Sequence, residues 1–274
     1  MTTPERWPPG YRCGVAFSVD LDAESVDLGR APAANLWGRF SHGRYGIRVG
    51  VYRLLEIFRE HAVPVTFFIP AWDAERVPDL VETILGAGHE VAAHGYAHED
   101  HSRLHEAERD TLEKAHRILT HLIGQAPVGW RAPGGRLSPR TLSYLLDLGY
   151  RYDASFFDDD LPHELEGDEG RRIVEIPQFP FLNDTPFYQV FRPPIEVSRM
   201  WLEELEAIYD EGLFYSLKLH PRGDTGSGRA LRAAVVEEVC RAVRRRPGTW
   251  VATHAEIEAW WRKSRPAGTY SGLG

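Results

Sequence analysis

Gly88-His89-Glu90-Val91-Ala92-Ala93-His94-Gly95-Tyr96-Ala97-His98 is the stretch on which the fold turns. Its short apolar run, Glu90 to Ala93, reads as a strand, and Gly95 marks the turn out of it. His94 then stands at the C-terminal end of the strand, with His98 four residues further on. Two imidazoles at that spacing converge on one metal ion if the turn between them is helical. A catalytic divalent ion needs a third protein ligand and open positions for water. Upstream, Phe17-Ser18-Val19-Asp20-Leu21-Asp22 offers one: an apolar strand, Cys13 to Val19, runs out into two carboxylates. On spacing alone the alternatives stay open. A turn histidine beside a solvated one gives the same pattern, and either aspartate can form an Asx turn or cap a helix.

The strand through Glu90 to Ala93, which can begin at His89 (His89–Ala93), is joined by others expected at Val63–Ile69, Val128–Trp130, Tyr150–Phe156, Ile173–Ile176, Leu213–Leu219 and Trp250–Ala252. Helical spacing predicts helices over Ile47–His61, Ser102–Ile123, Ser198–Glu211 and Arg229–Arg245. Another ends at Leu85, one runs from Ser138-Pro139 to Gly149, and Thr253 caps a last one. Met1–Gly10 reads as a polar, proline-containing arm. Three connections stand out: the long Ala23–Gly46, the charged Asp158–Arg172, and the aromatic, proline-rich Gln178–Phe191. A connection as long as the first inside a compact domain is more often functional than accidental.

Strands alternate with helices and no linker divides the chain, so residues 1–274 read as a single catalytic domain. Such alternation fits a barrel or a doubly wound sheet. The polar residues decide. Asp20, Asp22, His94, Arg131, Asp153 and His220 all fall at or just beyond expected strand ends. In a barrel those ends meet on one face, where active sites are built. The expected fold is therefore α/β, an irregular, incomplete (β/α) barrel.

Composition narrows the partners. Among 274 residues, 32 Lys and Arg face 40 Asp and Glu, a net charge of −8. That argues against nucleic acid or an anionic membrane surface as the target. Two cysteines make no disulfide framework, and Cys13 lies in an expected buried strand. The sequence shows no secretory signal, and no run approaches the ~20 apolar residues of a membrane span. A cytoplasmic enzyme is the expectation.

Taken together these motifs resemble the polysaccharide deacetylases of carbohydrate esterase family 4, from about Cys13 to Trp261. Asp20 and Asp22 correspond to the first motif, and His94-Gly95-Tyr96-Ala97-His98 to the His-x3-His motif. Arg131-Ala132-Pro133-Gly134 resembles the Arg-x-Pro motif, Asp153 lies where the fourth motif would, and Leu219-His220-Pro221 resembles the last. The chain departs in having Leu21 between the aspartates and Gly134 where an aromatic is usual. Both departures are similar to a cytoplasmic branch that includes peptidoglycan-deacetylase-like proteins, cyclic imide hydrolases and allantoinases.

The resemblance implies a divalent ion on Asp22, His94 and His98, with zinc first and Co, Ni, Mn or Fe also suited to that donor set. It implies Asp20 as general base, oriented by a bidentate contact from Arg131. It implies His220 as general acid, tuned by Asp153. The reaction is hydrolysis of a non-peptide amide: deacetylation of an N-acetylated sugar, or ring opening of a cyclic imide or ureide. The substrate expected is small or soluble, and the branch tends to form homo-oligomers. Two other classes use similar parts. Non-haem iron oxygenases share the two-histidine, one-carboxylate set, and a sugar-binding protein could share the fold. An intact base and acid argue against both.

Overall fold

Parallel strands need long crossovers, and the helical segments between the apolar runs supply them. The computed structural model describes residues 5–265, so the first four residues of the expected arm lie outside the described range. The strands are β1 (Cys13–Asp20), β2 (Val65–Ile69), β3 (Glu90–Ala93), β4 (Gly129–Trp130), β5 (Tyr152–Asp153), β6 (His163–Glu166), β7 (Arg172–Glu175), β8 (Phe214–Leu219) and β9 (Thr249–Val251). The helices are α1 (His42–Tyr45), α2 (Val51–Glu60), α3 (Ala71–Ala74), α4 (Pro78–Gly86), α5 (Glu108–Ile123), α6 (Thr141–Asp147), α7 (Asp184–Gln189), α8 (Pro194–Glu211), α9 (Ala230–Arg245) and α10 (His254–Ser264).

The sheet runs β6-β7-β5-β4-β3-β2-β1-β8 and is parallel except for β6. β9 pairs with the first half of β1, Cys13–Val15, while β2 pairs with Phe17–Asp20. The sheet curls without closing, which is the incomplete barrel expected. Across the gap, Phe214 N donates to Asp160 O at 3.3 Å, and Lys218 makes an isolated parallel bridge with Asn183.

Side-chain alternation places the site. On β1, Val15, Phe17 and Val19 belong to the large core between sheet and helices. Their neighbours Ala16, Ser18 and Asp20 take the opposite face, toward the inside of the curl. A second, smaller core fills that inside with Ala16, Phe68, Ala92, Tyr152, Val174 and Phe214. Trp7, from the arm, is buried there against Phe214 and Trp250, and Gly14 leaves it the room. On the outside, α2 buries Val51, Leu54, Ile57 and Phe58, each worth about 1.5–3 kcal/mol of burial.

Four expectations change. Asp158–Arg172 contains a strand, β6, paired antiparallel to β7 with Leu165 opposite Ile173. It was illegible because His163-Glu164-Leu165-Glu166 has a single apolar residue. Gln178–Phe191 contains α7, capped by Asn183 Oδ1, which accepts from Thr185 N. The helix expected from Ser102 starts only at Glu108, after two 3-10 turns, and Ser102 Oγ bonds Asp100 instead of capping it. Tyr150–Phe156 pairs as a strand only at Tyr152 and Asp153. Thr253 does cap α10, in a full capping box with Glu256.

Candidate metal and catalytic site

β3 delivers His94 to the mouth of the curl, where Nδ1–H donates to the carbonyl of Arg131 at 2.8 Å. That bond fixes the tautomer and leaves Nε2 with a free lone pair. The Nε2 lies 3.5 Å from Asp22 Oδ1, and His98 Nε2 lies 3.5 Å from Asp22 Oδ2. Both separations exceed good hydrogen bonds. They match donors sharing one ion, since two ligands at zinc distances and a tetrahedral angle stand about 3.4 Å apart. The ligand atoms of Asp22, His94 and His98 all lie within 4.8 Å of one another. Asp22 Oδ1 is buried and has no hydrogen-bond partner among the described residues, an orphan that a cation would satisfy. The residues present therefore fit a divalent ion.

The convergence is not helical. The chain turns through Gly95 (φ +69°) and holds His98 itself left-handed (φ +61°), a strained conformation for a β-carbon residue. Glu99 pins the turn by accepting from Tyr96 N at 3.0 Å and Ala97 N at 2.7 Å. A β-carbon on Gly95 would sit 2.9 Å from Pro133 Cγ and 3.0 Å from Glu99 Oε2, so only glycine fits.

Asp20 faces the same point from β1. Its Oδ1 accepts from Arg131 Nη1 at 2.6 Å, a single contact and not the bidentate one expected. The second Arg131 bond from Nη1 goes to Ser18 Oγ at 2.9 Å, and Nε donates to Ala154 O at 2.9 Å. The guanidinium also stacks 3.9 Å over Phe68. Burial opposes the charge of Asp20, yet Arg131, His94, Lys218 and His220 together hold its pKa down at about 2. Asp22, likewise buried, is held below the carboxylate range by His98, His94 and His220. Burial depresses His94 to about 4, which keeps it neutral and able to ligate.

His220 follows β8. Its Nε2 lies 3.8 Å from Asp20 Oδ2 and 3.7 Å from Asp22 Oδ2. Its partner is not Asp153. Nδ1–H donates to Asp184 Oδ1 at 2.7 Å, with Thr185 Oγ1 at 3.1 Å. Asp184 is fully buried, and its Oδ2 accepts from His220 N, Ser227 N and Ser227 Oγ at 2.8, 2.9 and 2.8 Å. Burial alone would lower the His220 pKa, but the Asp184 carboxylate outweighs it and raises it. Sequence reasoning missed Asp184. The signal was Asn183-Asp184-Thr185-Pro186, a helix start inside the aromatic connection.

Asp153 sits at its strand end as expected but is turned toward β7. It stands opposite Glu175 in register, and its Oδ1 accepts from Ser155 Oγ at 2.6 Å. Glu175 Oε1 accepts from Ser155 N and Phe156 N at 3.0 and 2.9 Å. Ser155 Oγ in turn accepts from Ala132 N at 2.8 Å, so this pair braces the loop that carries Arg131.

The cavity above these groups encloses about 370 Å³ and is lined by Asp20, Asp22, His94, His98, Lys218 and His220 among others. Comparison with known proteins gives the family. The profile of the polysaccharide deacetylase family matches residues 45–152. The chain is 28% identical to the peptidoglycan deacetylase of Helicobacter pylori, over 92% of this chain and 97% of that one. Its fold is similar to the crystal structure of Puue allantoinase, with a TM-score of 0.84, 27% identity, and 99% and 96% of the two chains covered. It is also similar to a crystal structure of a Mycobacterium smegmatis protein assigned to the polysaccharide deacetylases, with a TM-score of 0.86 and 99% of each chain covered. At 36% identity along that whole length, the chain belongs to the polysaccharide deacetylase family, hydrolases of carbon–nitrogen bonds.

Proposed function

We propose that the chain is a divalent-metal-dependent hydrolase of non-peptide amides, and that its reaction is deacetylation of a small or soluble N-acetylated sugar. One observation carries this reading. The donor atoms of Asp22, His94 and His98 cluster within 4.8 Å, and Asp20 and His220 approach the same point. A divalent ion held there, zinc first and Co, Ni, Mn or Fe also suited, supplies Lewis acidity toward an amide carbonyl and a water.

The chain's own groups do the rest. Asp20, kept ionised by Arg131, takes the proton of the attacking water. Asp184 holds the Nδ1–H of His220, so that Nε2 presents a proton to the departing nitrogen. Gly134, at the rim of the cavity with φ +60°, offers a backbone N–H to the developing oxyanion. The Helicobacter relative's name supports deacetylation.

A second reading is ring opening of a cyclic imide or ureide. Its support is the allantoinase likeness over 99% of the chain and a cavity of about 370 Å³, a size that suits a small ligand. Acid, base and ligand set serve both reactions. The test compares kcat/KM on N-acetylglucosamine oligomers with succinimide and allantoin, in wild type and in Asp20→Asn. Acetate release that Asp20→Asn abolishes supports deacetylation; ring opening alone supports the second reading; activity undiminished in Asp20→Asn removes the assigned base.

The proposal extends to place and assembly. We read residues 1–274 as one catalytic domain of a cytoplasmic homo-oligomer. Free, buried Cys13 and Cys240 suit a reducing compartment. Exposed Phe181, Val190, Phe191 and Ile195 offer apolar surface for a second copy. No helix among the described residues is long and apolar enough to cross a membrane.

A further inference from the structure

Arginine charges in and under the cavity are spoken for. Arg131 pairs with Asp20 at 2.6 Å, Arg30 with Asp27 at 3.2 Å, and Arg222 with Asp27 and Asp224 at 3.0 Å each. Lys218 differs. It projects from β8, in register with Ser18 of β1, and lines the cavity beside Asp20 and His220. Its Nζ donates to Gln178 Oε1 at 2.6 Å, a neutral partner. No carboxylate oxygen among the described residues lies within 4.0 Å of that nitrogen. Gln178 is itself buried, and its backbone N donates to Phe156 O at 2.8 Å, so the anchor is fixed.

An ammonium has three N–H donors, and one neutral bond leaves two unused. Taking a cation out of water is costly unless an anion compensates. Burial lowers the Lys218 pKa, with Arg131 pushing the same way against the more distant pull of Asp20, Asp22 and Asp184. What those carboxylates do not supply is a direct contact, and the cavity that Lys218 lines is where one can enter.

We propose that Lys218 binds a carboxylate carried by the substrate, so that the site takes acidic amides in preference to neutral ones. The inference rests on the amide-hydrolase reading only for where the scissile bond lies. The carboxylate can belong to the amine part, as in an acidic amino sugar or amino acid, or to the acyl part, as in the half-amide of a dicarboxylic acid. Lys218 would supply one or two charge-assisted hydrogen bonds, and Gln178 would hold it in place.

The test measures binding, not turnover, by titration calorimetry on the full chain with and without added zinc. The probes are matched pairs: N-acetylglycine against N-acetylglycinamide for the amine side, and succinamate against succinamide for the acyl side. Wild type should bind the acid of one pair roughly tenfold tighter than its amide, the scale of one charge-assisted bond. Lys218→Met should bring that ratio to near one, and Lys218→Arg should keep most of it. The pair that shows the preference identifies the source. A wild type without preference in either pair, or a preference that survives in Lys218→Met, overturns the proposal. So does a loss in Lys218→Met that is equal for acid and amide. Should Lys218→Met not fold, Lys218→Gln gives the same readout. Carboxylate preference without hydrolysis of any amide would sink the hydrolase reading and leave this one standing.

Discussion

Asp184→Asn isolates the tuning of His220, the general acid proposed above. The native carboxylate uses Oδ2 for His220 N and Ser227, and Oδ1 for the imidazole. An asparagine amide fits the same space with its oxygen toward the backbone donors. Its NH2 then faces His220 Nδ1 and donates where the carboxylate accepted. The imidazolium loses a charged hydrogen bond at 2.7 Å in a buried site. Such a bond contributes about 1.5–3 kcal/mol. At about 1.4 kcal/mol per unit, the His220 pKa falls by about one to two units. The acid form is the active one, so the alkaline limb of kcat against pH moves to lower pH by that amount. A shift of that size lowers the fraction in the acid form, and kcat with it, by at most about ten- to a hundredfold on the alkaline side. Metal content, measured by mass spectrometry, should stay at the wild-type value, because Asp184 does not touch the ligand set. The assay is a pH profile of amide hydrolysis on the metal-loaded variant. A profile with its alkaline limb unmoved and kcat within twofold of wild type would refute the assignment.

The other expectations are quicker to state. His98→Ala should strip most of the bound divalent ion, about one per chain in wild type, as read by metal analysis after gel filtration; full occupancy would return His98 to a surface role. Gly95→Ala should lower the melting temperature, by about 1–3 kcal/mol of strain and collision with Pro133, and weaken metal retention with it. Glu175→Gln tests the buried pair through pH. Burial drives Glu175 well above the carboxylate range and Asp153 up to about 6. Raised carboxyl values mean that the native state holds a proton the unfolded chain gives up. That stabilisation is complete below about pH 4 and is lost as pH rises through 6 and beyond. The amide mimics the protonated acid, so the variant should gain on wild type between pH 5 and 8, by at most about 1.4 kcal/mol per pH unit. A melting-temperature difference independent of pH would show that no proton is shared there.

The sequence carried the catalytic face because of how a barrel is built. Asp20, His94 and His220 each follow an apolar run, which strand-end reasoning picks out without knowledge of the packing; that Lys218 shares a face with Ser18 follows only from the register of β8 on β1. Arg131 was readable for the same reason, at the end of β4. What escaped depends on which segments the fold brings side by side. Asp184 meets His220 across the gap, 36 residues away in sequence, from a helix hidden in an aromatic connection. β6 escaped because an edge strand with one buried face needs few apolar residues. Asp153 was placed correctly along the chain and given the wrong partner. Nothing in its own neighbourhood shows that β7 lies beside β5 and presents Glu175.

The residues that line the cavity bear on the mechanism in another way. Local patterns record what a residue does for folding, and several groups here work against it. His98 holds a left-handed backbone, Asp22 buries an oxygen without a protein partner, and Lys218 holds a half-buried charge against a neutral amide. Each costs stability in the isolated chain. The three costs lie around one cavity and face inward, while the large outer core is ordinary aliphatic and aromatic packing. Positive φ also occurs at Ala62, His105, Glu169 and Phe191, and buried unpartnered polar atoms occur elsewhere; what sets this cavity apart is that such costs coincide there with the clustered donor atoms of Asp22, His94 and His98. Two of the three, His98 and Asp22, are what a divalent ion would relieve. The third, Lys218, is not relieved by a cation; the substrate carboxylate proposed above would take its free donors.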